Sequence, residues 1–142
     1  MAEYLADPLT WMNGAVESRT ESSHYQLAAT KDHGVMVWDG ASGELLRKLD
    51  EGSSAQSVAV TMDDGIAISG GRDGTIKYWQ LSDGQLLHTE NAAHSNWVNA
   101  LATTNDGEFV ISGSMDGLIK VWRLSDYGLA KTFTLPDMPT DP

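Results

Sequence analysis

Residues 71–79, GRDGTIKYW, set the pattern of the chain. Asp73-Gly74 is a tight-turn signal, because Gly adopts the positive φ that short hairpins need. A β-type apolar run, residues 66–70, precedes it, so the stretch reads as strand, turn, strand. The pattern occurs twice more, as KDHGVMVW at 31–38 and SMDGLIKVW at 114–122. Each copy ends in a tryptophan six residues after an aspartate: Asp32/Trp38, Asp73/Trp79 and Asp116/Trp122. Trp38, Trp79 and Trp122 are 41 and 43 residues apart, a period that signals a repeat architecture.

The surroundings of each tryptophan repeat as well. Upstream runs at 25–30, 66–70 and 109–113 lead into the Asp/Gly turns, Asp32/Gly34, Asp73/Gly74 and Asp116/Gly117. Downstream, SGELLRKL (42–49), SDGQLLHT (82–89) and SDYGLAKTF (125–133) turn the chain back into a further strand. One more apolar run precedes each hairpin, clear at 57–62 and 98–103 and weaker at 11–18. Asp64-Gly65 and Asp106-Gly107 supply the intervening turns. Each unit is therefore expected to hold four short antiparallel strands, with helix content near zero. The boundaries read as a leader at 1–9, three units at about 10–51, 52–92 and 93–135, and a flexible Pro-rich tail at 136–142.

These residues resemble the WD-repeat β-propeller family, whose blades are four antiparallel strands with Trp-Asp closing the third. The first unit keeps Trp38-Asp39; the others have Trp79-Gln80 and Trp122-Arg123. The resemblance spans about residues 10–135. It implies an all-β fold of three propeller blades and a buried tetrad of His, Ser or Thr, Asp and Trp in each blade. The third blade carries the full set as His94, Ser112, Asp116 and Trp122, with Ala93 in place of the family's Gly before the His. The second keeps Ser69, Asp73 and Trp79, with Gly52 at the His position. The first keeps Asp32 and Trp38, has Ala28 at the Ser position, and shows no matching His. Pairing of buried polar groups gives the tetrad a structural role. A catalytic triad of His94, Ser112 and Asp116 is disfavoured, because a strand covered on both faces keeps the Ser from substrate.

Composition narrows the function. The 142 residues carry a net charge of −11, the reverse of the basic footprint that phosphate contacts require, so neither nucleic acid nor an anionic membrane is an expected partner. Without cysteine there is no disulfide, thiolate zinc site or cysteine nucleophile. The first twenty residues carry Glu3, Asp7 and Glu17 and no long apolar run, which leaves a cytoplasmic protein as the default. Asp63-Asp64-Gly65 and Asn105-Asp106-Gly107 are read as turns, since neither continues as a calcium loop. The histidines His24, His33, His88 and His94 do not fall at metal-ligand spacing. Gly70 to Gly74 joins two strands and lacks the Lys-Ser/Thr pair of a phosphate loop. No metal, cofactor or catalytic residue is assigned.

Three blades cannot close a ring, since propellers have four to eight, and an arc leaves an apolar sheet face at each end. Head-to-tail self-association is therefore expected, a dimer of six blades in preference to a trimer of nine. The alternatives are an arc of a larger propeller or, third, an enzyme, because WDGASGELL (38–46) resembles the blade motif of quinoprotein propellers. The favoured reading is a non-enzymatic scaffold that binds a protein or peptide, with a basic segment favoured by the net charge. In the family the partner sits on the face carrying the Asp turns, which gives Lys31, Arg72, Met115, Trp97 and Asn99 as candidates. Trp11 and Trp97 fall outside the periodic positions.

Overall fold

The computed structural model describes residues 12–17, 25–31, 34–49, 54–61 and 65–134. Trp11, His24, Asp32, His33, Gly52, Asp63, Asp64, the expected leader and the expected tail lie outside them. The described residues form twelve strands in three four-stranded antiparallel sheets. Blade 1 holds β1 (Met12–Glu17), β2 (Tyr25–Thr30), β3 (Val35–Asp39) and β4 (Leu45–Leu49). Blade 2 holds β5 (Ala55–Val60), β6 (Ile66–Gly71), β7 (Ile76–Gln80) and β8 (Leu86–Glu90). Blade 3 holds β9 (Val98–Thr103), β10 (Phe109–Ser114), β11 (Leu118–Arg123) and β12 (Leu129–Thr134). Strand order follows chain order in every sheet, so each blade is a meander joined by short turns. β5 packs against both β1 and β9, which puts the first strands where the blades lie closest.

Register explains the packing between blades. Leu27 pairs with Val37 and Ala29 with Val35 on one face of blade 1, and that face is buried against Val58, Val60, Ala67 and Trp79 of blade 2. Alternation sends Ile68, Ile76 and Tyr78 to the other face of blade 2. There they meet Val98, Val110 and Trp122 of blade 3. Each middle strand is thus apolar on both faces, and each tryptophan of blades 2 and 3 faces the preceding blade. Hydrogen bonds tie the same seams. Ser57 Oγ donates to the Val98 carbonyl at 2.8 Å and Thr103 Oγ1 to the Val60 carbonyl at 2.9 Å. Arg47 Nη1 donates to the Leu81 carbonyl at 2.6 Å.

Gly70 shows how tight the second seam is, since a Cβ there would lie 2.6 Å from Val98 Cγ1. Only glycine lets β9 approach β6 this closely. The two ends of the arc differ. On the outer side of blade 3, Ile111, Ile119 and Val121 are partly exposed and Phe133 is exposed. On the outer side of blade 1, Ala28, Thr30 and Met36 are buried although blade 2 packs on the opposite face, while Trp38 is partly exposed and Gln26 and Lys48 are exposed. An apolar sheet face expected at both ends is thus open at the blade 3 end.

Candidate protein-interaction face

The turns joining second to third strands lie along one edge of the arc, with the loops that enter the first strands. In blade 2 the Gly71 amide donates to the Thr75 carbonyl at 3.0 Å, and Asp73 Oδ1 accepts from the Thr75 amide at 3.1 Å and from Thr75 Oγ1 at 2.6 Å. Gly74 has φ +86, and a Cβ there would lie 2.1 Å from the His94 carbonyl oxygen. No other residue fits that position. The His94 amide donates to the Gly74 carbonyl at 3.0 Å, so the turn of blade 2 holds the loop that leads into blade 3.

That loop carries the hydrogen-bonded chain of blade 3. His94 Nδ1 lies 3.0 Å from Asp116 Oδ2, and His94 Nε2 lies 2.8 Å from Ser112 Oγ. Trp122 Nε1 donates to Ser112 Oγ at 2.9 Å. A carboxylate only accepts and an indole N–H only donates, so the donors run from Trp122 to Ser112, from Ser112 to His94 Nε2, and from His94 Nδ1 to Asp116. Asp116 Oδ2 also accepts from the Ser95 amide at 3.0 Å, and its Oδ1 from the Leu118 amide at 2.9 Å. Burial pushes the Asp116 carboxyl up, but the Ser95 and Leu118 amides and the His94 imidazole outweigh it and hold it below the ordinary value. The order Asp, His, Ser is that of a hydrolase triad. Ser112, however, is fully buried and already holds the indole, so its hydroxyl has no route to a substrate.

The other blades carry parts of this arrangement. Trp79 Nε1 donates to Ser69 Oγ at 2.8 Å, while the Asp73 carboxylate turns to Thr75. In blade 1, Ala28 offers no acceptor, and Trp38 is more exposed than Trp79 or Trp122. Asp106 in the third unit does ordinary turn chemistry, taking hydrogen bonds from Thr104 Oγ1 and the Glu108 amide. Among the described residues no group of three or more His, Asp or Glu side chains is placed to hold a metal.

Arg72 and Trp97 come together at this edge. The Arg72 guanidinium carbon lies 4.2 Å from the centre of the Trp97 ring, a cation–π contact across the blade 2/blade 3 seam. Arg72 Nε donates to Gln56 Oε1 at 3.0 Å, which fixes the guanidinium plane. The Met115 amide donates to the Trp97 carbonyl at 3.1 Å, and the Met115 side chain is 57% exposed beside it. Asn99 is exposed one strand position beyond Val98. Lys31 stands apart on blade 1, exposed, its carbonyl accepting from Ser54 Oγ. Gln56 and Ser54 give no motif in the sequence; only strand pairing shows that they sit beside these turns. A concavity of about 330 Å³, lined by Gly107, Phe109, Arg123 and Leu124, opens at the opposite edge.

A sequence model described as "WD domain, G-beta repeat" matches residues 43–80 and 84–123, more than half of the chain. The chain is 36% identical over 62 residues to the small ribosomal subunit protein RACK1y of Oryza sativa subsp. japonica, covering 43% of this chain and 18% of that protein. In three dimensions it is similar to the WD40 repeats of RRP9, with TM-score 0.79 and 24% identity, covering 87% of this chain and 38% of that one. It is equally similar to U3-55K, with TM-score 0.79, 24% identity and coverage of 87% and 39%. Hydrazine synthase of Kuenenia stuttgartiensis shares the fold at TM-score 0.78 and 13% identity, covering 89% and 36%. The chain spans less than two fifths of these solved chains and less than a fifth of the rice relative.

Proposed function

Because the chain belongs to the WD-repeat family, we propose that it is a non-enzymatic interaction module, a rigid arc of blades that binds a protein or peptide in the cytoplasm and completes its ring by self-association. The single observation that carries the binding assignment is the Arg72–Trp97 stack, held in place by Gln56 and flanked by exposed Met115. Aromatic and Arg side chains fixed in a pre-formed geometry lose little entropy on binding, which is why they dominate interface hot spots. The buried blade 3 tetrad supports the non-enzymatic part of the reading, since its one nucleophile type is consumed inside the sheet. The net charge of −11 steers a basic partner segment toward the arc, while Trp97 and Met115 supply the apolar contact at its centre.

Synthetic peptides of graded charge, titrated against the chain by fluorescence anisotropy, test the assignment. The double variant Arg72→Ala/Trp97→Ala is expected to weaken binding of a basic peptide at least tenfold, about 1.4 kcal/mol, with the melting transition kept. Unchanged affinity in that variant would place the binding surface elsewhere. A second reading, an arc within a larger propeller, draws on one observation: the chain matches only 36–39% of the solved chains it resembles.

A further inference from the structure

Equivalent sheet faces in blades 2 and 3 are occupied differently. Ile68, Ile76 and Tyr78 on β6 and β7 are fully buried under blade 3. Their register equivalents in blade 3, Ile111, Ile119 and Val121, are equally apolar and only partly covered. Gly70 is pressed by Val98 of the following blade, whereas a Cβ at its equivalent, Gly113, would meet nothing nearer than Ala100 Cβ at 3.9 Å. Leu49 on β4 is buried against blade 2, while Phe133, its equivalent on β12, is 46% exposed. Blade 3 thus keeps the shape and chemistry of a face that receives a following blade.

The outer strands say which blade fits. In each seam the middle residue of the fourth strand reaches the turn between the third and fourth strands of the next blade. Arg47 on β4 donates to the Leu81 carbonyl, and its Cδ lies 3.1 Å from where a Cβ on Gly84 would be. His88 on β8 stacks on Tyr127, centroids 4.3 Å apart and planes 2° apart. The third member of this series is Lys131 on β12, exposed and lying over the Phe133 ring at 5.2 Å. A cation at that position calls for an acidic turn. The β3–β4 turn of blade 1 is one, with Asp39 at its start and exposed Glu44 at its end, and Gly40 at the register position of Leu81. Beside it, Trp38 is partly exposed where Trp79 and Trp122 are buried by the preceding blade.

We propose that the open face of blade 3 docks blade 1 of a second copy of this chain, Lys131 clasping the Asp39–Glu44 turn while Trp38 covers the apolar face around Val121 and Phe133. This rests on the self-association reading above and names its surfaces. Contact runs through the outer half of blade 1, where Trp38 and the turn lie, because Ala28, Thr30 and Met36 on the same face are already buried. The contact is heterologous, so repetition closes a ring or extends a chain.

Light scattering on a sizing column, run over a range of concentrations with circular dichroism as the check on folding, tests it. The full chain is expected at a multiple of 15.3 kDa. Lys131→Glu, Phe133→Ser and Glu44→Lys, all at exposed positions, are each expected to fall to the 15.3 kDa monomer with strand content kept. Lys131→Glu combined with Glu44→Lys in one chain reverses the charges across the contact and is expected to recover the multiple. A wild-type chain that stays monomeric at every concentration overturns the self-association reading and this inference with it. A multimer indifferent to Lys131→Glu and Phe133→Ser leaves that reading standing and overturns the surface. Loss of mass in Lys131→Glu and Phe133→Ser with Glu44→Lys still a multimer overturns the choice of occupant and points to blade 3 pairing with itself.

Discussion

Asp116 shows how much one residue carries. Its carboxylate accepts from His94 and from the Ser95 and Leu118 amides, and so joins a loop, a turn and a strand. A carboxyl whose folded value is depressed adds stability that is present above its unfolded value and lost as pH falls through the folded one. Acidification below about pH 4 is therefore expected to melt the wild-type chain steeply. Asp116→Asn, which removes the charge, should cost about 1–3 kcal/mol at pH 7 and show a shallower acid slope in thermal melts. Parallel acid slopes for the two proteins would remove Asp116 from the account. The tetrad residues were legible in the sequence through its resemblance to the WD-repeat family. The direction of the hydrogen bonds and the sealing of Ser112 were not, because both depend on Trp122 lying over the Ser112 hydroxyl.

At the scale of elements, the strands and most turns follow local chemistry, and the turn into the fourth strand of blade 3 does not. The turn from third to fourth strand places Gly at positive φ in blades 1 and 2, at Gly43 and Gly84, but in blade 3 the positive φ falls on Tyr127, at +62°. That conformation costs a non-glycine residue about 1–2 kcal/mol. Contact offsets it: the Tyr127 ring lies 4.6 Å from Tyr78 and stacks on His88, joining blade 3 to β8 of blade 2. Burial, with the Glu90 carboxylate near, raises the Tyr78 phenol well above its ordinary value and keeps it neutral inside this cluster. Tyr127→Ala keeps the strained backbone and loses the rings, and is expected to destabilise by about 0.5–1.5 kcal/mol. Tyr127→Gly relieves the strain and should stay within about 0.5 kcal/mol of wild type in urea unfolding. Equal losses in both variants would mean that backbone strain plays no part. The sequence shows Tyr in a glycine slot, SDYG against SDG. That it reaches back across the seam follows only from the neighbouring blade.

For the whole molecule the deciding quantity is how much apolar face remains open. Blade 3 leaves Ile111, Ile119, Val121 and Phe133 partly or largely exposed on one side of its sheet, a contiguous patch of the kind that marks an interaction site. Dilution is therefore expected to lower the melting temperature of the chain, since a contact between copies stabilises by mass action. A melting temperature that does not change with concentration would mean that the patch is open in solution. The sequence by itself determined the repeat, its period, and most of the strands and turns, with the first strand of blade 1 the weakest signal, because strand alternation and Asp-Gly turns are local signals. The tertiary structure alone decided that Arg72 meets Trp97, that Tyr127 meets His88, and that one end of the arc is open while the other is half closed. These depend on which faces of neighbouring sheets come together, and residues 25 apart, as Arg72 and Trp97 are, or 39 apart, as His88 and Tyr127 are, carry no local trace of that meeting.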